Sequence, residues 1–264
     1  MRLDEVLKML DGFAPFKYAE SWDNVGLIVG TQDRDIKTVL VAVDATDEVI
    51  QQGVKYQADL ILTHHPLVFK PLKKVLYEDF IGKRIISLIK NDISYAAMHT
   101  NFDQTHMAIE AAKKLGLRET VTIAGTGNMD VLSGREYGFG AAGFLNSQMS
   151  LEQFASLVKE AFSLSDARVF GRLDKMISKA AVIPGSGGSL LGTAIEAGAD
   201  IVITGDISHH EGIDAIEQGF AVIDAGHFGI EKLFKDIMIS YFKDNLPGLK
   251  VYAAEEAEPY IALS

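Results

Sequence analysis

The chain has 264 residues, 48% of them hydrophobic and 23% charged, the composition of a globular protein with one large or two ordinary domains. Its 36 acidic against 25 basic residues leave a net charge of -11, which works against a non-specific hold on nucleic-acid phosphates or anionic membranes and favours a small, diffusible partner. With no cysteine, disulfides, thiolate metal sites and a cysteine nucleophile are excluded, so any metal must be held by imidazole and carboxylate.

Residues 1–13 read as an amphipathic helix, because Leu3, Val6, Leu7 and Leu10 recur at helical spacing among Asp4, Glu5, Lys8 and Asp11, without the apolar core of a signal peptide. No stretch reaches about 18 consecutive apolar residues, so no membrane span is expected and a cytoplasmic location is. A buried-type strand over 39–43 leads to Thr46, Asp47 and Glu48, a cap and early negative charge for a helix to about Tyr56. Ala58-Asp59-Leu60-Ile61-Leu62-Thr63 is the next strand, ending at His64-His65-Pro66. A third strand, Tyr95-Ala96-Ala97-Met98, ends at His99, with Asp103 four residues on and a helix expected over 105–115.

Glycines at 125, 127, 134, 138, 140 and 143 suggest turns and short strands, and the domain boundary is expected near 125–127: a first α/β domain over 1–125 and a second over 126–264. Ser150 and Gln153 form a capping box ahead of Leu151, Phe154, Leu157, Val158 and Phe162. Residues 180–183 form a strand, Pro184-Gly185-Ser186-Gly187-Gly188-Ser189 a turn, and 190–197 a helix. Ala199-Asp200-Ile201-Val202-Ile203-Thr204 follows, then His209-His210, a strand over 221–225, and His227 with Glu231. A last helix over about 228–243 stops at Asn245, Pro247 and Gly248, and short strands near 250–254 and 260–263 finish the chain, free to pack back on the first domain.

Residues 39–63 and 180–204 thus run through the same elements, registered by the matching "Ala-Asp, three apolar residues, Thr" strands, and each copy continues to a paired histidine and then to a histidine followed four residues later by a carboxylate. Near-continuous apolar strands alternating with helices predict two pseudo-duplicated α/β units with mostly parallel sheets. Ligand sites in such sheets lie at strand carboxyl ends, and a metal site is expected between the units there.

The side chains at those ends suit metal chemistry. His64 and His65 point to opposite faces unless the chain turns at Pro66, so they can serve two neighbouring ions; the alternative is one backbone-bonded buried ring and one surface ring. His227 and Glu231, four apart where a strand gives way to a helix, either converge on an ion such as zinc, iron or manganese or pair in solvent. Asp103 either bridges two cations or caps the helix over 105–115. His99 is the candidate catalytic group that is not itself a ligand, holding a ligand in place or donating a proton. His209 and His210, with Glu211, line the far wall of a cleft or merely begin a helix. Gly187 and Gly188 lie in a turn that either cradles an anion or is a plain tight turn, and Arg135 is a second candidate for an anionic group.

Ser21-Trp22-Asp23-Asn24-Val25-Gly26-Leu27, Thr63-His64-His65-Pro66, His99-Thr100-Asn101-Phe102-Asp103, Thr204-Gly205-Asp206 with His209-His210, and Gly226-His227-Phe228-Gly229-Ile230-Glu231 together resemble, in order, the Nif-three-like family, also labelled GTP cyclohydrolase I type 2 homologs. The resemblance covers nearly the whole chain. It implies a compact member without the inserted domain of larger relatives, a ring-shaped homohexamer around an internal cavity, and a dinuclear centre between two domains with His64, His65, Asp103, His227 and Glu231 as ligands. It also implies a metal-dependent hydrolase with two divalent ions per chain and a small, phosphate-bearing, nucleotide-like substrate. The Trp22 segment either lines the pocket or contributes Trp22 to the core. The competing function is a non-catalytic metal-binding ring that presents a regulatory surface; a nucleic-acid-processing ring is disfavoured by the net charge.

Overall fold

Strands covered on both faces set the architecture: Val39, Leu40, Val41 and Ala42, and likewise Ile201, Val202 and Ile203, are wholly buried. The computed structural model describes residues 1–131 and 133–261. These fall into two compact units, Met1–Phe102 with Phe234–Ala257, and the rest from Asp103 to Leu233 with the described residues from Glu258 on.

In chain order, the first unit begins with α1 (Leu3–Phe13), β1 (Gly26–Val29), β2 (Thr38–Ala42), α2 (Asp47–Lys55), β3 (Leu60–Thr63), α3 (Phe80–Lys90), β4 (Ser94–Ala97) and α4 (Thr100–Phe102). The second unit opens on a single π-helical turn, Asp103–Met107, and then carries α5 (Ala108–Lys114), β5 (Arg118–Met129), β6 (Glu136–Ser150), α6 (Leu151–Ala161), β7 (Arg168–Phe170) and β8 (Met176–Ser186). It continues through α7 (Leu191–Glu196), β9 (Ile201–Gly205), α8 (His209–Glu217), β10 (Ala221–Asp224) and α9 (His227–Glu231), after which α10 (Leu233–Asn245) and β11 (Lys250–Ala253) return to the first unit.

The first sheet has the order β1-β4-β3-β2-β11 and is parallel except where β1 meets β4. The second has the order β5-β6-β8-β9-β10-β7; it is parallel through β8-β9-β10 and antiparallel at β5, β6 and β7.

The duplication is structural. Both "Ala-Asp" strands, β3 and β9, are the middle member of a parallel trio. Their aspartates do the same work: Asp59 Oδ2 accepts from the N–H groups of Lys37 and Thr38 at 2.7 and 2.9 Å, and Asp200 Oδ2 from those of Ser178 and Lys179 at the same two distances. Each carboxylate thereby pins the start of the neighbouring strand in register. The closing threonines, Thr63 and Thr204, accept through their carbonyls from Met98 and Ala225, just past the third strand of each trio.

Helix starts follow the residue chemistry. The Thr46 hydroxyl accepts from Val49 N–H at 3.2 Å to open α2, and Ser150 with Gln153 forms a reciprocal capping box at α6. Four expectations are corrected. Residues 125–127 lie inside β5, not at a boundary, because the glycines serve strand approach: a Cβ on Gly138 would sit 2.1 Å from the Ala124 carbonyl oxygen. The helix expected from 105 begins at Thr100 and passes through the π turn. The helix expected over 228–243 is divided at Lys232 into α9 and α10. Tyr260 and Ile261 are not in a strand, and the remainder of that expected strand lies outside the described residues.

Candidate metal centre

In the first unit, β3 and β4 end side by side, Thr63 opposite Ala97, so the residues just beyond them are brought together. One ring nitrogen each from His64, His65 and His99 lies within 4.8 Å of the others. The chain turns at Pro66 because Tyr95, buried in the neighbouring strand, gathers the turn: its hydroxyl donates to the His65 carbonyl at 2.9 Å and accepts from Leu67 N–H at 2.8 Å.

Each of the three rings is held by Nδ1. His64 Nδ1 lies 2.9 Å from the Met98 carbonyl oxygen, His65 Nδ1 2.9 Å from Asp44 Oδ1, and His99 Nδ1 2.9 Å from Asp23 Oδ1. An oxygen that can only accept requires the proton on Nδ1, so the neutral ring carries its lone pair on Nε2, the arrangement typical of metal-ligating histidine. The Asp23 side chain is wholly buried, and its second oxygen takes the N–H and hydroxyl of Thr100 at 3.0 and 2.5 Å. Burial pushes this carboxyl up, but the hydrogen bonds from His99 and Thr100 outweigh it and hold it at about 2. At the end of β2, Glu256 accepts from the N–H groups of Val43 and Asp44, fixing the backbone that carries the Asp44 carboxylate.

In the second unit, His227 and Glu231 lie one turn apart on α9, with His227 Nε2 3.0 Å from Glu231 Oε2 and His227 Nδ1 2.7 Å from Asp206 Oδ2. The Glu231 side chain is only 4% exposed. Its hydrogen bond raises the His227 imidazole to about 9 against the effect of burial, with Asp206 adding to the rise. A buried carboxylate held by an imidazolium is a site where a cation can replace the proton, so the donor set fits a divalent ion. Two glycines make room: at Gly185 (φ 71°) a Cβ would come 2.7 Å from Glu231 Oε1, and at Gly205 one would come 2.6 Å from His227 N. Asp103 is half-buried in the π turn, and since helix already precedes it, it is not an N-cap. Such turns recur at functional sites.

The remaining expected residues stand elsewhere. His209 and His210 are exposed on the first turn of α8, capped by Ser208, their rings 5.3 Å apart. The Gly187 N–H donates to Thr204 Oγ1 at 2.8 Å, and a Cβ on Gly188 would fall 2.0 Å from the Glu211 carboxylate, so this turn is shaped by its neighbours and faces a negative charge that opposes an anion. Arg135 reaches the Thr105 carbonyl at 2.6 Å, bracing the π turn, and lies over the Tyr137 ring. A His99 ring nitrogen falls within the same 4.8 Å limit as those of His64 and His65, so this grouping does not separate it from the ligand candidates. Reading of the sequence passed over the aspartates that aim the rings, Asp23, Asp44 and Asp206. The signal was there: Asp44 and Asp206 each follow a strand of the two parallel trios within two residues.

The chain matches the family model Duf34/NIF3 (NGG1p interacting factor 3) over residues 1–259. A Clostridium perfringens protein named GTP cyclohydrolase 1 type 2 homolog is 35% identical, with 88% of this chain and 87% of that protein covered. A Campylobacter jejuni protein of the same name is 30% identical over 98% of this chain and 99% of its own. Among solved structures, a Staphylococcus aureus hypothetical protein superposes with a TM-score of 0.90 at 29% identity, covering 100% of this chain and 99% of that one. Reduced HcgD from Methanocaldococcus jannaschii gives 0.81 at 28% identity, covering 96% and 97%. Sequence and fold agree, and the chain belongs to the Duf34/NIF3 family.

Proposed function

We propose that the protein is a metal-dependent hydrolase acting on a nucleotide or a related small metabolite, and that it holds two divalent ions per chain, of zinc, iron or manganese, through His64, His65, Asp103, His227 and Glu231. The observation that carries this reading is the common anchoring of the histidines: four imidazoles, His64, His65, His99 and His227, are each tied at Nδ1 to a carbonyl or carboxylate oxygen. A buried structural histidine takes such a partner too, but three rings anchored alike, with one nitrogen each within 4.8 Å of the others, suit ligands or proton carriers, whose partners set the tautomer and raise the basicity. The mix of imidazole and carboxylate donors suits borderline first-row ions. Divalent ions held there supply Lewis acidity toward a hydrolysable electrophile.

The chain's own contribution is orientation and proton handling. Asp23 keeps the proton of His99 on Nδ1, which leaves Nε2 to take a proton from an attacking water and return it to a leaving group. Asp44 likewise holds His65 at Nδ1 and Asp206 holds His227, which turns their Nε2 atoms to ligand duty, not to proton transfer. The name shared by the curated relatives supports a nucleotide-like substrate. The family resemblance supports a homohexamer in the cytoplasm; among the described residues no helix is long and apolar enough to cross a membrane.

The test is a substrate screen over nucleotides and other phosphate esters, run on protein reconstituted separately with zinc, manganese and iron(II). Turnover that disappears in His99→Gln and in metal-stripped protein supports the proposal. Two bound metal equivalents with no turnover of any compound, together with specific retention of a protein partner, would replace it with the non-catalytic, regulatory reading.

A further inference from the structure

Trp22 and Phe69 are large apolar side chains that the fold leaves 55% and 49% exposed, and the chain goes to some length to hold them still. Their ring centroids are 5.5 Å apart, with the planes inclined at 53°. Both flank His99, with centroid distances of 6.1 Å from Trp22 and 6.4 Å from Phe69. The two loops that carry them are tied together next to the rings. Asn24 donates through Nδ2 to the carbonyl of Val68 at 2.6 Å, and Asp23 binds His99 and Thr100. In the run Trp22-Asp23-Asn24, therefore, consecutive residues present a ring, aim the catalytic candidate, and clamp the neighbouring loop.

An exposed aromatic pair held rigidly beside a candidate catalytic group is surface that a ligand can cover with little loss of conformational entropy. The surroundings add a charge preference. The loop that carries Phe69 holds three exposed lysines within five residues of it, Lys70, Lys73 and Lys74, and no acidic residue in that span, in a protein whose net charge is -11. Lys70 is exposed and adjoins Phe69.

We infer that Trp22 and Phe69 form the platform on which a planar heteroaromatic ring bearing an anionic group is laid against His99. The inference rests on the proposed hydrolase reading for the claim that this ligand is the substrate, whereas the platform itself is a claim about binding. Stacking tolerates any flat ring, so Trp22 and Phe69 supply affinity for the ring and leave discrimination between rings to polar groups.

The test uses the sole tryptophan of the chain as its own reporter. The full-length, metal-reconstituted protein is titrated with guanosine or adenosine 5′-monophosphate, and in parallel with ribose 5-phosphate, which has the anion without the ring. Both nucleotides are expected to quench Trp22 emission saturably while ribose 5-phosphate leaves it unchanged. Phe69→Ala, an exposed substitution that leaves folding intact by circular dichroism, should weaken nucleotide binding about tenfold or more. Equal binding of ribose 5-phosphate, or an unchanged affinity in Phe69→Ala, overturns the platform. So does Trp22 emission that ignores nucleotide but changes with protein concentration in step with sedimentation, which would make this face a contact between copies of the chain. Saturable quenching without hydrolysis leaves the platform standing and removes only the hydrolase reading; hydrolysis without any change in Trp22 emission does the reverse.

Discussion

Replacing Asp23 by asparagine isolates the tautomer control on His99. In the parent, the buried carboxylate accepts from His99 Nδ1 at 2.9 Å through one oxygen and from Thr100 N–H and Oγ1 at 3.0 and 2.5 Å through the other. Held at about 2, it is ionised at any pH where the protein is assayed. Asparagine keeps the shape and one acceptor, which stays with the two Thr100 donors, so the amide nitrogen falls opposite His99 Nδ1 and two N–H groups face each other. The loss is one charge-assisted hydrogen bond, about 1.5–3 kcal/mol. At roughly 2–4 °C per kcal/mol for a chain of this size, the melting temperature should fall by about 3–12 °C. His99 escapes the clash by moving its proton to Nε2, which removes the lone pair that proton transfer needs, so any hydrolysis found for the parent should fall by a factor on the order of 100 to 10,000. Long-range ¹⁵N–¹H spectra of histidine-labelled, metal-free protein, at a pH where the ring is neutral, read the tautomer directly, with His99→Gln supplying the assignment. The expected result is Nδ1–H in the parent and Nε2–H in Asp23→Asn. An Nδ1–H tautomer in the variant with an unchanged melting temperature would refute the reasoning.

Elemental analysis after reconstitution should find two metal equivalents in the parent and in His106→Ala, whose imidazole lies on the π turn and belongs to none of the candidate metal groups, and marked loss in His64→Ala and Glu231→Ala; full occupancy in Glu231→Ala would remove the ligand assignment. Tyr95→Phe removes the phenol oxygen that Leu67 N–H bonds and one of two donors to the His65 carbonyl, which keeps Thr63 Oγ1, so it should destabilise by about 1–3 kcal/mol in urea unfolding and lower metal affinity through His65. The Tyr95 phenol is pushed up by burial from an ordinary 10.0, partly countered by its hydrogen bonds to Thr63 and Leu67, so its contribution is complete below pH 10 and is lost as pH rises further, because the unfolded chain ionises first. Above pH 10 the parent should therefore lose stability faster than Tyr95→Phe, by about 1.4 kcal/mol per pH unit. Ser150→Ala removes the side-chain cap on Gln153 N–H and should cost about 1 kcal/mol, seen as a fall of about 2–4 °C in melting temperature; no change would mean the capping box contributes nothing to the fold.

Much of the fold was legible because its determinants are local. The trios around Leu60–Thr63 and Ile201–Gly205 announce themselves by unbroken apolar runs, and one carboxylate oxygen of each aspartate before them bonds across to the start of the adjacent strand. The caps at Thr46 and Ser150 act within three residues. Glycine is where local reading failed, since the absence of a Cβ serves a turn and a close strand crossing equally well; Gly125 and Gly138 serve the crossing, and only the paired strand shows it. The candidate ligands could be named from their residue types and their places at strand ends, but not what aims them. Asp23 reaches His99 across 76 positions, Asp44 reaches His65 across 21, and Asp206 reaches His227 across 21. A hydrogen bond between such distant residues depends on where the folded backbone places both, and nothing in the intervening residues encodes that placement locally. The same holds for Trp22, equally at home in a core or on a rim until the packing around it is known. The sequence by itself determined the repeated parallel trios and the inventory of imidazoles and carboxylates, whereas the tautomer of each ring and the exposure of Trp22 were decided only by the tertiary structure, because both depend on neighbours that chain closure alone brings within a few ångströms.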